Sequence, residues 1–597
     1  MKDFFKYMMA TICGIIVLTV VGILILSLTV AGMLAGSDVK VKAKENSVFV
    51  LKMNGTVDER CEGAGPLDVL LSSADMEMMG LDDILEAIRK ARDEENIKGI
   101  YIEGGVTTFD APATAQQIRD ALLDFKKSGK WVYAYADQML QASYYVLSAA
   151  DSLFLNKTGM IDFKGLGGKG YYLTGLYEKL GIKYQCARVG KYKSAVESVT
   201  RKDMSEADRE QREALWNGIW QQWTRQMADS RKVTAQQLDE LASDSIMLFA
   251  CVDDYKTSGL IDRAIYPDEM KRVVCRKMGL NDDESVNKLF LEDMLNLKPE
   301  KKEKKRGGQV AVYYAYGEIV DEVINNFYGG STILGSKVVD DLQLLAKDDA
   351  VKALVLRVNS PGGSAVASEQ IWHALQQLKL KKPVVVSMGG LAASGGYMIS
   401  CGANYIIAEP STVTGSIGIF GLVPNFSALV TDKLGVTWDG ASTNAYTDYE
   451  TNLVFGPDNS KEMQYLQSYT DRGYDNFISL VAQGRGMTKE QVNEIAQGRV
   501  WLATDAIGIN LVDQLGSLND AVAKAAELAH LDEYHPVSYP AKKDWLEELV
   551  SEQQQKSYLN GQLRQLLGEF YEPIMQLRLD QQRSCLQARL PYTVKIQ

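Results

Sequence analysis

The sequence predicts an α/β protein built from two similar halves that follow one N-terminal transmembrane helix. Three observations lead to this prediction: a long apolar run opens the chain, two later stretches resemble each other, and strands alternate with helices in both. Alternating strands and helices are typical of parallel sheets with right-handed crossovers. A chain of 597 residues also exceeds what one hydrophobic core supports, so at least two domains are expected.

The apolar run at residues 8–33 contains no charged side chain. A helix of this length can cross a hydrocarbon core of about 30 Å. The run is longer than the ~7–15 apolar residues of a typical cleavable signal, so a retained anchor at residues 1–37 is predicted. Lysines flank both ends of the run, and the charge distribution therefore leaves its orientation open.

The two similar stretches begin at Val48 and at Val310. In each of them a strand is followed by an amphipathic helix, a strand, a second helix and a third strand. In the first half, the segments that follow the opening strand are predicted at 81–93, 97–102, 113–125 and 131–136. Their counterparts are predicted at 337–346, 351–358, 368–378 and 384–388. We therefore predict domains at 46–297 and 309–545, with a charged linker at 298–308 between them and a helical tail at 546–597.

The composition excludes several classes of function. A net charge of −12 argues against general nucleic-acid binding, which needs a basic excess to neutralise phosphates. The seven cysteines form no C-x-x-C pair, and none of the three histidines stands in an H-E-x-x-H motif, so no metal site is predicted. None of the histidines lies beside a convincing nucleophile motif either. A hydrolase built on this chain would need another base.

The second half carries two glycine-rich turns, each directly after an apolar strand. The glycines of Asn359-Ser-Pro-Gly-Gly-Ser364 let the backbone approach a ligand closely and turn its N–H groups outward. In Leu391-Ala-Ala-Ser-Gly-Gly-Tyr397, Ser394 stands between small residues at a strand-to-helix junction. The helix N-terminus there favours developing negative charge, which makes Ser394 a candidate nucleophile. Taken alone, the position also fits an ordinary helix cap.

The first half has lost these turns. Val106-Thr-Thr-Phe-Asp110 stands where the Pro-Gly-Gly turn would be, and Gln141-Ala-Ser-Tyr-Tyr145 has two tyrosines in place of two glycines. Close approach of the backbone to a ligand is therefore lost. We predict that the first half cannot perform this chemistry with its own serine.

The first half instead offers a lysine. Lys193, in Val189-Gly-Lys-Tyr-Lys-Ser194, aligns with Thr447 of the second half. A serine hydroxyl needs a base, and a lysine that burial keeps neutral can serve as one. Spacing alone also fits an ordinary surface lysine. Lys191 and Lys202 are nearby alternatives that we expect to be exposed.

At these motifs the chain resembles the signal peptide peptidase A family, also called protease IV, in its long two-domain form. The resemblance extends from the anchor to about residue 540 and is most specific at Tyr192-Lys-Ser-Ala-Val-Glu197, Asn359-Ser-Pro-Gly-Gly363 and Ala393-Ser-Gly-Gly-Tyr397. It implies tandem Clp protease or crotonase-like α/β domains and a serine protease with a Ser–Lys dyad. By position, Ser394 is the nucleophile and Lys193 the general base.

The same resemblance implies the rest of the site. Gly363 and Gly395 match the oxyanion hole, and Ser416 matches a serine that hydrogen-bonds the lysine. Asp162 is the first-half counterpart of Ser416. No cofactor and no metal are implied.

The resemblance also implies a place in the cell. The family is anchored in the bacterial cytoplasmic membrane, which implies a single-pass chain with its catalytic bulk on the extracytoplasmic, periplasmic side. The implied substrates are signal peptides left after their release from preproteins, and other apolar peptides. The implied assembly is a homo-oligomeric ring or bowl, for which a tetramer is one candidate.

Two alternatives belong to other classes. A crotonase-like acyl-coenzyme A enzyme would use the same Gly-Gly turn with a catalytic carboxylate and without a nucleophilic serine, and the anchor disfavours it. A catalytically inactive scaffold of the membrane is the other alternative, and the intact dyad argues against it.

Overall fold

The computed structural model describes residues 41–61, 77–244, 246–297, 307–321, 331–458, 460–542 and 587–589. The predicted anchor at 1–37, most of the predicted linker and nearly all of the predicted helical tail lie outside these ranges. No helix within the described ranges combines the length and the apolar character needed to cross a membrane.

The first half builds a mainly parallel sheet with one further strand outside it. Its strands are β1 (Ser47–Asp58), β2 (Glu77–Gly80), β3 (Ile97–Phe109), β4 (Trp131–Met139), β5 (Ser152–Ile161), β6 (Lys183–Arg188), β7 (Arg263–Ala264) and β8 (Asn287–Leu289). The sheet order is β2-β1-β3-β4-β5-β7, with β8 also paired to β1. Strand β6 leaves this sheet and pairs with the second half.

The second half builds a corresponding sheet in the order β18-β16-β14-β12-β9-β20, with β15 on β14 and β19 on β15. The strands from this half are β9 (Gly308–Tyr316), β10 (Glu318–Val320), β11 (Thr332–Leu334), β12 (Val351–Ser360), β13 (Gly362–Ser364), β14 (Val384–Ala393), β15 (Tyr405–Ala408), β16 (Val413–Gly415), β17 (Phe420–Asn425), β18 (Val500–Leu502), β19 (Gln514–Leu515), β20 (Tyr534–Tyr539) and, from the tail, β21 (Gln587–Arg589). A third sheet, in the order β11-β10-β13-β21-β17-β6, joins the two halves.

Helices cover the faces of the two large sheets. In the first half they are α1 (Leu81–Asp93), α2 (Pro112–Lys127), α3 (Gln141–Leu147), α4 (Thr174–Leu180), α5 (Glu197–Thr200), α6 (Glu206–Arg231), α7 (Ala235–Asp244), α8 (Val252–Thr257), α9 (Pro267–Lys277) and α10 (Leu291–Asn296). In the second half they are α11 (Gly335–Lys347), α12 (Ala365–Lys379), α13 (Gly395–Ser400), α14 (Tyr449–Phe455), α15 (Lys461–Arg485), α16 (Lys489–Ile495), α17 (Ala503–Ala506) and α18 (Leu518–Leu528). Short 3₁₀ turns lie at Ser194–Val196 and Met247–Phe249, and a π-helical turn lies at Ala428–Lys433.

The segments predicted from the repeat are present with the predicted type. Helix α1 has the predicted bounds, whereas the strands run further at their C-terminal ends than their apolar runs indicate. Strand β3 continues to Phe109 and strand β14 to Ala393. Glycines, and in β3 also polar residues, interrupt the apolar pattern in these added stretches, yet the backbone pairing continues through them.

The two cores are continuous with each other. Both faces of each large sheet are buried, as expected for parallel sheets. Four side chains of the second half are packed into the main core of the first half, namely Ala393, Val413, Val500 and Leu502. The halves therefore share buried apolar surface beside the strand end that carries Ser394.

Candidate active site

Strand β6 leads into the loop that places Lys193 of the first half against the second half. It pairs antiparallel with β17, from Arg188 opposite Phe420 to Lys183 opposite Asn425. After β6 the chain stays attached, because Val189 N donates to Ile419 O at 3.2 Å and Tyr192 N donates to Gln497 O at 3.0 Å. Lys193 follows directly.

The side chain of Lys193 is completely buried, with 0% of its surface exposed. Its Nζ lies 2.8 Å from Ser394 Oγ, 3.0 Å from Ser416 Oγ and 3.1 Å from Ser416 O. These three partners are neutral oxygens. The structure thus brings together the three predicted side chains of the dyad and its support, whereas Lys191 and Lys202 are exposed as expected.

Ser394 lies in a sharp turn between β14 and α13. Its φ of +56° and ψ of −116° are unusual for a residue with a side chain, and such strain is often found at functional sites. The turn is fixed from two sides: Ser394 N donates to Gly415 O at 2.8 Å, and Met398 N donates to Ser394 O at 2.9 Å. The side chain also makes no cap hydrogen bond to the helix, so the helix-cap interpretation does not account for this serine.

Two glycines pack against Lys193, and a third packs against the neighbouring loop. A Cβ on Gly498 would lie 2.6 Å from Lys193 Cβ, and one on Gly190 would lie 2.3 Å from Gln497 O. A Cβ on Gly418 would lie 3.3 Å from Lys193 Cδ. Both Gly190 and Gly498 also have positive φ values, of 99° and 79°. The loop at 497–499 can therefore lie directly on the backbone of Lys193 and exclude water from it.

Helix α6 supports the same loop from the first half. Gln211 is fully buried, and its Nε2 donates to Tyr192 O at 3.1 Å and to Ser194 Oγ at 3.0 Å. Its Oε1 accepts from Val500 N at 3.3 Å, so one amide connects both halves around the lysine. The sequence analysis missed Gln211, because a glutamine within a polar helix carries no pattern that marks it as buried.

The predicted oxyanion residues lie on neighbouring elements. Gly363 is in β13 with φ +156°, and a Cβ there would lie 2.0 Å from Ile319 O. A Cβ on Gly396 would lie 2.7 Å from Ser360 O, so helix α13 packs directly on the Pro-Gly-Gly turn. Gly395 begins α13, and the first N–H groups of a helix have no intrahelical acceptor. Glycine is required at positions 363 and 396 for this close approach of the backbones.

A strand from the tail lies beside this turn. Strand β21 pairs antiparallel with β13, with Ala588 opposite Gly363, and it meets β17 at Phe420. An extended backbone thus occupies the space between the Pro-Gly-Gly turn and β17. The sequence predicted a helical tail, and these three residues are a strand instead, because the open edge of β13 offers them backbone partners.

The first-half residues that correspond to the predicted site residues of the second half make structural contacts. Ser143 is buried and its Oγ donates to Thr107 O at 3.0 Å. The two tyrosines that follow are fully buried, and Tyr145 stacks on the Trp223 ring at 4.4 Å between centroids. Asp162 pairs with Lys164 at 2.6 Å. These contacts agree with the prediction that the first half holds no serine site of its own.

Comparisons with known proteins agree with this arrangement. The model of peptidase family S49 matches twice, at residues 124–280 and 376–532, and that of Clp protease matches residues 312–412. "Protease 4" of Salmonella typhi is 38% identical over 84% of this chain and 80% of its own. "Protease 4" of Haemophilus influenzae is 37% identical over 75% of this chain and 73% of its own. "Serine protease SPPA, chloroplastic" of Arabidopsis thaliana is 27% identical over 82% and 70%.

The double match confirms the predicted duplication, and the two family models fit duplicated Clp protease-like α/β domains. The identities over most of the chain confirm the family that the motifs indicated. The chain therefore belongs to peptidase family S49 and is a serine protease.

Proposed function

We propose that this protease cleaves peptides with a Ser394–Lys193 dyad and that its substrates are signal peptides left in the bacterial cytoplasmic membrane. The observation that carries the dyad is the 2.8 Å contact between Lys193 Nζ and Ser394 Oγ inside a buried site. The match to a peptidase family favours this chemistry over the acyl-coenzyme A alternative. The apolar run at 8–33 supports the substrate, because an anchor would keep the protease where such peptides remain.

The contacts of Lys193 suit a general base. A neutral amine has two N–H groups and one lone pair. The two N–H groups can donate to Ser416 O and Ser416 Oγ, which leaves the lone pair directed at the Ser394 hydroxyl. The hydroxyl then attacks the peptide carbonyl while Nζ takes its proton. The resulting ammonium protonates the leaving amine, and water releases the acyl-enzyme.

The backbone around Gly363 suits an extended peptide. The N–H groups of Gly363 and Gly395 would hold the oxyanion, a contribution of about 3–4 kcal/mol per donor in well-studied proteases. Strand β21 supports this binding mode, because it shows that β13 accepts an antiparallel backbone beside the turn. A substrate that adds a strand there gains main-chain hydrogen bonds whatever its side chains are.

The proposal includes a membrane-anchored assembly of several subunits. Exposed apolar side chains surround the contact between α4 and the π-helical turn, where Leu429 N donates to Gly181 O at 2.8 Å: Leu176, Leu180, Leu434 and Val436. Such surfaces are typical of protein or membrane contacts. The full-length chain should require detergent for extraction and should then show, by light scattering, the mass of several subunits. A monomer that is soluble without detergent would contradict both the membrane anchor and the assembly of several subunits.

Labelling of Ser394 tests the proposed chemistry. A fluorophosphonate probe should form a covalent adduct with the full-length protein, and mass spectrometry should place it on Ser394. The Ser394→Ala chain should lose the adduct and peptidase activity, because the proposed acyl-enzyme forms on Ser394 Oγ. A Ser394→Ala protein with normal peptidase activity would contradict the proposal. Ser143→Ala is the matched control and should keep both properties, because Ser143 lies outside the site.

A further inference from the structure

The carboxylate of Asp110 lies at the boundary of the two halves, beside the glycine-rich turns of the second half. It stands in the first half where the second half has its Pro-Gly-Gly turn. Asp110 Oδ2 accepts a hydrogen bond from Asn359 Nδ2 at 2.6 Å, and its Oδ1 accepts one from Thr114 Oγ. Asn359 is the first residue of the motif that contains Gly363. The degenerate turn of one half thus contacts the intact turn of the other.

The amide of Asn359 connects both catalytic turns. Its Oδ1 accepts from Leu391 N at 2.9 Å, three residues before Ser394. The backbone O of Asn359 accepts a hydrogen bond from Gly317 N at 3.0 Å. Gly317 lies next to β10, and β10 pairs with Gly363. A rotation of this amide would therefore release the turn that carries the nucleophile.

The first half determines which way this amide faces. Its Nδ2 lies against two acidic side chains, Asp110 at 2.6 Å and Glu59 at 3.3 Å. Carboxylate oxygens accept hydrogen bonds, so the NH₂ group must face them, and Oδ1 must then face Leu391 N. The packing is equally close, because a Cβ on Gly390 would lie 2.1 Å from Ala111 Cβ.

We propose that Asp110 is a positioning residue of the active site: it orients Asn359, and Asn359 fixes the turn that carries Ser394. This inference rests on the proposed Ser394–Lys193 mechanism. It gives the first half a second role besides the supply of Lys193. Burial is the main reason that the pKa of Asp110 is raised, to about 7, and the Glu59 carboxylate adds to it. Whether or not Asp110 is protonated, one of its oxygens can accept the hydrogen bond from Asn359. An asparagine at position 110 should therefore keep this contact.

The test compares full-length variants on a fluorogenic peptide. Asp110→Ala removes the acceptor and should lower kcat about 10- to 100-fold, with KM within about twofold, because a small misplacement of a reacting group costs this much. Asp110→Asn keeps an acceptor oxygen and should stay within about threefold of the parent. Asn359→Ala should lose at least as much kcat as Asp110→Ala. Arg60→Met is the control, because Arg60 also joins the halves, through Pro540 O at 2.7 Å, and Pro540 belongs to neither turn.

The double variant decides whether Asp110 acts through Asn359. If it does, Asp110→Ala combined with Asn359→Ala should be no slower than Asn359→Ala alone. The inference would be overturned if the double variant lost kcat by the product of the two single losses. It would also be overturned if Asp110→Asn were as slow as Asp110→Ala. A control variant with the same fall in kcat would overturn it as well. If Asp110→Ala does not fold, Asp110→Leu, which also lacks an acceptor and is closer to aspartate in volume, takes its place in the same comparison.

Ser394→Ala separates this inference from the mechanism. An active Ser394→Ala chain would reject the dyad itself. An inactive one together with a fully active Asp110→Ala chain would reject the positioning role alone.

Discussion

Replacing Lys193 with methionine should lower kcat about 10²- to 10⁴-fold, the range that a general base contributes. Methionine has a similar volume and no proton acceptor, so it removes the base while it keeps the cavity filled. The side chain is fully buried, and a neutral replacement should leave folding intact. Initial rates on a fluorogenic peptide and a melting curve of the same sample measure both properties.

Lys191→Met and Lys202→Met are the matched controls. Both lysines are exposed and close in sequence, so their replacement should leave the rate nearly unchanged. Mixing Ser394→Ala chains with Lys193→Ala chains should not restore activity, because the two side chains meet within one chain. Restored activity would show that neighbouring subunits complete each other's sites.

Glu59→Ala should destabilise the protein by about 3–5 kcal/mol, the usual effect of breaking a buried ion pair. Arg357 Nε lies 2.6 Å from Glu59 Oε1, and the two side chains are only 1% and 3% exposed. Glu59 belongs to the first half and Arg357 to the second, so the loss leaves a buried cation at their boundary. Thermal or urea unfolding followed by circular dichroism measures the change.

Two comparisons make this measurement specific. Asp458→Asn breaks another ion pair between the halves, with Lys183, but this pair is solvent-exposed and should be worth at most about 1 kcal/mol. Glu59→Gln combined with Arg357→Met removes both charges and should recover much of the loss. If Glu59→Ala were as stable as Asp458→Asn, the buried pair would not hold the halves together.

Much of the fold could be predicted from the sequence, because hydrophobic periodicity is local. The repeat gave the order of strands and helices in both halves, and helix α1 has the predicted bounds. The position of Ser394 could be predicted for the same reason, because an apolar strand followed by a serine and two glycines indicates a strand-to-helix junction. The comparison between the halves and the family resemblance were both needed to single out Lys193, since one lysine in a loop looks like any other.

The remaining features depend on distant contacts that leave no local pattern. Strand β6 looks like a short strand of the first half, and nothing in it indicates that it pairs with β17. Gly498 precedes an apolar strand like many turn glycines, yet its role is to leave room for Lys193. Glu59 directly follows β1 and Arg357 stands in β12, and only the folded chain shows that the two side chains pair. The predicted anchor lies outside the described residues and stays a prediction.

The path of the chain from Lys193 to Ser394 has a consequence for biosynthesis. The two residues are 201 positions apart, and a ribosome adding about 5–20 residues per second needs about 10–40 s to travel between them. During that interval the nascent chain would carry the proposed base without the proposed nucleophile, so it could not cut neighbouring chains. With the proposed dyad, activity can begin only after the second half has folded against the first, so the order of synthesis itself delays activity.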